Sequence, residues 1–163
     1  MRLGVLGTGM VGQTLGGKLV ELGHEVTMGS RRAGNEKAVA WAASAGERAN
    51  EGSFADAARL GEVVVNATAG AASLEALRSA GAENLSGKVL IDVANPLDFG
   101  AGRPPILAVS NDDSLGEQIQ RAFPEARVVK ALNTVNAAVM VEPGALGQST
   151  AIFVCGNDHE AKA

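Results

Sequence analysis

Short runs of hydrophobic residues recur along the chain, and most of them are continuous rather than alternating with polar residues. Continuous runs of roughly four to eight residues indicate strands buried on both faces, as in a parallel sheet that helices cover on each side. The predicted strands are Arg2–Leu6, Glu25–Met28, Glu62–Asn66, Lys88–Ala94, Arg127–Leu132 and Ala151–Cys155.

Between these runs lie segments whose hydrophobic residues recur at helical spacing. In the first segment, Val11, Leu15 and Leu22 fall near one stripe, and Gly23 follows where a helix would end. The predicted helices are Met10–Leu22, Glu36–Ala45, a short helix from an N-cap at Ser53 through Leu60, Ser73–Ala80 and Ser114–Phe123. Because strands alternate with helices of about ten residues, we expect an α/β protein with a doubly wound, mostly parallel sheet, the Rossmann fold.

Length and composition set limits on this fold. The 163 residues fit a single domain over residues 1–163, and a further helix is predicted to begin at Asp158, so we expect a C-terminal part of the fold to be missing. The net charge of -4 argues against nucleic acid as a partner, and no hydrophobic run approaches the roughly 20 residues that span a bilayer. The one cysteine, Cys155, fits a reducing cytoplasm and is expected to be buried in the last strand.

The turn after the first predicted strand has the glycine spacing of a dinucleotide-binding turn. It matches G-x-G-x-x-G with Gly7, Thr8, Gly9, Met10, Val11 and Gly12. Gly7 would allow the tight turn, Gly9 would let a pyrophosphate approach the backbone, and Gly12 would let the helix pack close to the strand. The N–H groups of Met10, Val11 and Gly12 would then point at the phosphates. The alternative, a glycine-rich turn without a ligand, is less favoured because strand and helix flank the motif.

The end of the second predicted strand indicates which dinucleotide binds. An NAD site places a carboxylate there for the ribose 2′-hydroxyl, whereas this chain has Ser30, Arg31 and Arg32. Guanidinium groups offer paired donors that match a phosphate, so we predict NADP(H) rather than NAD(H). Arg31 is expected to contact the 2′-phosphate with Ser30 beside it, while Arg32 either adds a contact or faces solvent.

Three polar residues near the ends of later strands have two interpretations each. Asn95 and Asn66 would either contact the nicotinamide carboxamide or hold a neighbouring loop, and function is favoured more strongly for Asn95. Lys130 would contact a substrate or phosphate, or would reach water from a strand edge. The two histidines, His24 and His159, form no catalytic or zinc-binding set with the one cysteine, so we predict no metal and assign no catalytic residue. A bound cofactor would then carry the chemistry.

Three segments resemble the NADP-binding domain of coenzyme F420-dependent NADP reductases: Val5–Gly12, Gly23–Arg31 and Val128–Thr134. The resemblance covers nearly all of the chain and implies a Rossmann domain in which NADP(H) exchanges hydride with a deazaflavin, coenzyme F420. By position, it implies that Thr8, Gly9, Met10 and Val11 hold the pyrophosphate and that Ser30 and Arg31 hold the 2′-phosphate. It further implies cofactor contacts from Ala67, Thr68, Ala94, Asn95 and Pro96, and substrate contacts from Asn133 and Thr134.

The predicted function is therefore that of a cytoplasmic, NADP-dependent oxidoreductase with a small-molecule hydride acceptor. The acceptor would be F420 or a flavin-like molecule. Two alternatives are a non-catalytic module that binds or senses NADPH and an imine or pyrroline reductase. Neither nucleic acid nor a membrane is expected as a partner, and association into a homodimer is left open.

Overall fold

A seven-stranded sheet forms the centre of the computed structural model, which describes residues 1–100 and 102–163. The strands in the described residues are β1 (Arg2–Leu6), β2 (Glu25–Ser30), β3 (Ala49–Ser53), β4 (Val63–Asn66), β5 (Val89–Asp92), β6 (Leu97–Asp98), β7 (Ile106–Leu107), β8 (Arg127–Ala131) and β9 (Val154–Cys155). The sheet order is β3-β2-β1-β4-β5-β8-β9, while β6 and β7 form a separate antiparallel pair.

Six strands of this sheet are parallel to one another, namely β3, β2, β1, β4, β5 and β8, so their carboxyl ends meet at one edge. In the register, Leu6 lies opposite Gly29 on β2 and Asn66 on β4, and Asp92 lies between Asn66 and Lys130. In open parallel sheets of this kind, ligands bind at the edge where the strands end. The register therefore brings the glycine turn, the end of β2 and the polar ends of β4, β5 and β8 to that one edge.

Helices cover both faces of the sheet, as a doubly wound fold requires. They are α1 (Met10–Glu21), α2 (Glu36–Ala45), α3 (Phe54–Leu60), α4 (Ser73–Ala80), α5 (Ala82–Leu85), α6 (Leu115–Ala122) and α7 (Ala137–Val141). One hydrophobic cluster joins the sheet to α1 and α2 around Trp41, and the other joins it to α3, α4 and α6 around Leu77 and Ile119. The predicted α/β class and mostly parallel sheet are confirmed.

Helix α3 lies directly on β1, and small residues make the approach close. A Cβ atom on Gly4 would lie 2.2 Å from the carbonyl oxygen of Ala57, so only glycine fits there. The helix begins with a capping box. The Ser53 hydroxyl accepts a hydrogen bond from the Asp56 N–H at 3.1 Å, and the Asp56 carboxylate accepts one from the Ser53 N–H at 3.1 Å. This start places Phe54 at the ligand-binding edge.

The structure corrects several predicted elements. Strand β3 was missed because its Asn, Glu, Gly and Ser carry no hydrophobic signal, and β2 continues through Gly29 to Ser30. The predicted helix from Asp158 is wrong, because residues 159–162 form a turn instead of a helix. The expectation that Cys155 is buried is also wrong. Strand β9 is a two-residue antiparallel strand at the sheet edge, which leaves the cysteine exposed.

Candidate dinucleotide-binding site

A cavity of about 660 Å³ opens where β1, β2 and β4 end. It is lined by Gly7, Thr8, Gly9, Ser30, Arg31, Arg32, Asn35, Phe54, Ala67, Thr68, Ala69, Ala72, Glu75, Ala76 and Ser79. The structure thus brings together the first part of the glycine turn, the Ser-Arg-Arg segment and the pair Ala67–Thr68, which the sequence placed in three separate regions.

The glycine turn forms one wall, and its three glycines meet different surroundings. Gly7 has φ of 116° and its N–H donates to the Gly29 carbonyl at 3.0 Å, so it fixes the turn against β2. A Cβ on Gly12 would lie 2.1 Å from the Gly7 carbonyl oxygen, which explains the close packing of α1. A Cβ on Gly9 would meet no described atom within 4 Å. Gly9 therefore leaves open the space through which a phosphate would reach the backbone.

The amino end of α1 faces this open space, and its first backbone N–H groups have no hydrogen-bond partner among the described residues. No side chain from the described part of the chain caps the helix at Gly9, and the first turn holds no acidic residue. The loop is held in place from behind, because the Gln13 amide donates to the Thr8 carbonyl at 2.9 Å. Exposed N–H groups at a helix start, together with the helix dipole, favour an anion. The turn thus fits a pyrophosphate.

The end of β2 forms a second, positively charged wall. The buried Ser30 hydroxyl donates to the Arg32 carbonyl at 2.6 Å, which fixes the backbone that carries both arginines. The guanidinium groups of Arg31 and Arg32 are exposed, and neither forms an ion pair within residues 1–100 and 102–163. Two unpaired guanidinium groups beside an uncapped helix suit a ligand with a phosphate beyond its pyrophosphate.

Helix α4 and the loop before it form the third wall, which the sequence did not predict. Ala72 and Ala76 present a smooth apolar surface, and Glu75 and Ser79 add polar atoms from the same face of the helix. These residues are spaced three and four apart, so one helical face carries them all. The spacing was available in the sequence, but which face turns to the ligand depends on how α4 packs on α3.

Other predicted site residues lie outside this cavity. Met10 is 75% exposed, and Val11 and Gly12 lie behind the turn, so these three offer only backbone N–H groups. Ala94 and Pro96 are buried where β5 ends. Their segment packs closely on Gly70, next to the lining residue Ala69, because a Cβ on Gly70 would lie 2.2 Å from the Asn95 carbonyl oxygen.

A reciprocal pair of amides links the ends of β5 and β8. The Asn95 Nδ2 donates to the Asn133 carbonyl at 2.8 Å, and the Asn133 Nδ2 donates to Asn95 Oδ1 at 3.2 Å. Thr134 is exposed next to this pair. The sequence predicted functional contacts for both asparagines but did not predict that they bind each other. The pair shows that the two segments form one surface beside the cavity.

A buried polar network lies beneath the cavity floor. The fully buried Asn66 amide donates to the Asp92 carboxylate at 2.8 Å and to the Ser73 hydroxyl at 3.0 Å. Its oxygen accepts from the Thr68 hydroxyl at 2.7 Å, and the Thr68 and Ser73 hydroxyls lie 2.9 Å apart. Asn66 therefore has the second of its two predicted roles, because it holds the neighbouring loop that carries Thr68.

The network continues to an ion pair between β5 and β8. Asp92 is fully buried, and its Oδ2 lies 2.8 Å from the Nζ of Lys130, whose side chain is 21% exposed. The Lys130 ammonium also donates to the Ala94 carbonyl, and the Ala94 N–H donates to Asp92 Oδ1 at 3.2 Å. None of these three contacts was predicted, since the sequence does not show that positions 92 and 130 are neighbours.

The described residues lack both a metal-binding cluster and a membrane-spanning helix. No group of three or more His, Cys, Asp or Glu side chains there is arranged to hold a metal ion. Within the same ranges, the helices are too short or too polar to cross a lipid bilayer.

The fold and this site together define a dinucleotide-binding α/β protein of the Rossmann class. The model of the family described as NADP oxidoreductase, coenzyme F420-dependent, matches residues 2–96, and the chain belongs to that family. The matched region contains every residue that lines the cavity. Membership confirms the predicted resemblance. The description of this family names NADP and coenzyme F420, the two cofactors that are expected from the sequence.

Individual relatives agree with this family. The F420-dependent NADP reductase of Methanocaldococcus jannaschii is 34% identical over 108 residues, which cover 66% of this chain and 48% of the relative. The crystal structure of a protein from Arthrobacter sp. FB24, provisionally classed as an F420-dependent NADP reductase, is 53% identical. It matches with a TM-score of 0.93 over 99% of this chain and 76% of its own.

A third relative is a mammalian metalloreductase. STEAP3 of Rattus norvegicus is 28% identical over 161 residues, or 99% of this chain, but only 30% of its own length is covered. The chain thus spans about half of the archaeal reductase and under a third of STEAP3.

Proposed function

We propose that this protein is an NADP(H)-dependent oxidoreductase that exchanges hydride between the nicotinamide and a small-molecule acceptor, with coenzyme F420 as the first candidate. The observation that supports this most strongly is the cavity in which an open, uncapped helix start faces two unpaired arginines. Each half of that arrangement fits a different phosphate of NADP(H).

The residues of the chain would divide the binding between them. The backbone at Gly9, Met10 and Val11 would hold the pyrophosphate, and Arg31 with Arg32 would hold the 2′-phosphate, while Ala67 and Thr68 would line the adenosine half of the cavity. When bound, the nicotinamide supplies the hydride chemistry. The remaining task of the protein is to hold two ring systems close together, and positioning of that kind can contribute about 7–11 kcal/mol to a reaction.

The segments Ala94–Pro96 and Asn133–Thr134 are proposed to receive the nicotinamide and the acceptor, through the partly exposed Asn95 and Asn133 and the exposed Thr134. These residues follow β5 and β8, so they lie at the same edge of the sheet as the cavity. Asn95 and Asn133 already donate to each other, which fixes amide groups for a polar ring to contact. We further propose a cytoplasmic protein, in keeping with its one cysteine, and association into a homodimer stays a prediction.

Calorimetric titration with NADPH and NADH tests the coenzyme half of the proposal. We expect NADPH to bind more tightly, and Arg31→Ala to weaken NADPH by about 10- to 100-fold, because charged hydrogen bonds contribute about 1.5–3 kcal/mol. NADH should change little. Arg78→Ala is the matched control, because Arg78 is an exposed arginine that does not line the cavity. Equal losses for both dinucleotides would mean that Arg31 does not recognise the 2′-phosphate.

Absorbance of the deazaflavin tests the acceptor. Mixing the protein with F420 and NADPH should bleach the oxidised deazaflavin band as the dinucleotide is consumed. Turnover of a cyclic imine without reaction of F420 would instead favour the imine reductase alternative. NADPH binding with no turnover of F420, flavins or imines would favour a sensing module.

A further inference from the structure

The Asp92–Lys130 ion pair encloses one peptide turn from both sides. The Ala94 N–H donates to Asp92, and the Ala94 carbonyl accepts from Lys130, so both backbone groups of this residue are held by the same two charges. Ala94 begins the turn that leads to Asn95 and Pro96. Since Asn95 in turn bonds to Asn133, the pair sets the position of the whole surface proposed for the nicotinamide.

Stability alone is a weak reason for such a pair. Charges taken out of water lose hydration, and a hydrophobic pair of similar volume often stabilises a buried site as well or better. Here Asp92 is fully buried and every polar contact of its carboxylate is directed to Asn66, Ala94 or Lys130. The contacts link the ends of β4, β5 and β8, which are the elements that meet at the ligand edge.

A second lysine provides a natural comparison. The Lys88 ammonium donates to the carbonyls of Ala58 and Gly61 at 2.7 Å each. It lies before β5, at the amino ends of the parallel strands and therefore at the edge opposite the cavity. Lys88 thus holds backbone at the edge away from the cavity, whereas Lys130 holds the Ala94–Pro96 turn at the same edge as the cavity.

We propose that Asp92 and Lys130 are positioning residues that hold the Ala94–Pro96 turn for the nicotinamide half of the dinucleotide. The inference rests on the proposed function and extends it. The adenosine half binds against the glycine turn, the arginines and Thr68. Asp92 reaches this wall only through Asn66, whose amide can donate to an asparagine oxygen at position 92 as it does to the carboxylate. Loss of the pair should therefore weaken the complete dinucleotide while sparing its adenosine fragment.

Calorimetry with 2′,5′-ADP and with NADPH separates the two halves. In Asp92→Asn/Lys130→Met, which removes both charges together, we expect 2′,5′-ADP to bind within about twofold of the unmodified protein and NADPH at least about tenfold more weakly. Lys88→Met, the matched control, should lower the thermal midpoint and leave the ratio of the two affinities unchanged. Asp92→Asn/Lys130→Gln keeps neutral hydrogen-bonding groups and serves if the first double variant fails to fold.

Each outcome of this experiment either supports or overturns the positioning role of Asp92 and Lys130. An unchanged NADPH affinity, or equal losses for both ligands, overturns the positioning role. If neither double variant folds, the pair serves the stability of the fold, and the positioning role is overturned as well. If the unmodified protein binds neither 2′,5′-ADP nor NADPH, the proposed function itself is wrong, which is a different result from a changed ratio.

Discussion

Among single residues, Gly9 separates binding from folding most cleanly. Its φ of -78° suits any residue, and the space around its absent side chain is open. We expect the free energy of unfolding of Gly9→Ala to lie within about 1 kcal/mol of that of the unmodified protein, because the only cost is that alanine is a poorer N-cap than glycine. NADPH affinity should fall at least about tenfold, because the methyl group would occupy the space of the phosphate. Urea unfolding and calorimetry on the same sample measure both quantities.

Two neighbouring glycines serve as controls for that substitution. Gly17 lies within α1 with no described atom near a Cβ, so Gly17→Ala should stabilise the protein by about 1 kcal/mol and leave binding unchanged. Gly12→Ala would press on the Gly7 carbonyl and should destabilise the fold itself. If Gly9→Ala bound NADPH normally, the glycine turn would not be the pyrophosphate site.

The sequence revealed the glycines and arginines of the site because their chemistry is local. A turn that needs small residues, and a strand end that lacks a carboxylate, can be read from consecutive positions. The partnership of Asp92 with Lys130 and that of Asn95 with Asn133 each join residues 38 positions apart. Such contacts depend on the sheet order, which hydrophobic patterns do not specify.

At the scale of elements, the start of α3 couples stability to pH. The Ser53 hydroxyl donates to Asp56 Oδ2 at 2.6 Å, and this bond, with the Ser53 N–H, holds the pKa of the Asp56 carboxyl below its usual value. The folded pKa lies below the unfolded one, so the stabilisation is present above the unfolded pKa of about 3.9 and is lost as pH falls through the folded pKa.

Ser53→Ala should therefore have a pH-dependent cost. At pH 7 we expect a loss of about 1 kcal/mol in the free energy of unfolding, typical for removal of an N-cap serine. The difference from the unmodified protein should shrink as the pH is lowered from 7 toward 2, because progressive protonation of the carboxyl weakens its bonds to Ser53. Urea unfolding at both pH values measures it, with Ser86→Ala as the control at an exposed serine. If the loss were the same at both pH values, the Asp56 carboxylate would not contribute to the stabilisation by the cap.

Elements with a clear hydrophobic pattern and a clear end were predicted closely, whereas short or polar elements were not. The observed bounds of α2 and α4 match the prediction, because each has a helical run flanked by a clear stop. The sequence does not predict strand β3, the short helices α5 and α7 or the β6–β7 pair. All are short or polar, and they form because the rest of the protein offers them a surface to pack on or pair with.

For the molecule as a whole, the sheet order divides the ligand edge into two regions. The loops after β1, β2 and β4 surround the cavity, and the segments after β5 and β8 form the surface beside it. The family match ends at residue 96, where the first region is complete. The five longer covering helices could be assigned from the sequence, whereas this division needed the order of the strands.

The order of the strands also bears on how the protein could be redesigned. The loops that surround the cavity emerge from different strands than the segments around Asn95 and Asn133, so the two can vary separately. A library that randomises the mostly exposed residues 97–100 and 102–111 would leave every residue that lines the cavity unchanged while it samples new hydride acceptors and donors. One ancestral scaffold could in the same way supply catalysts for chemically unrelated electron carriers.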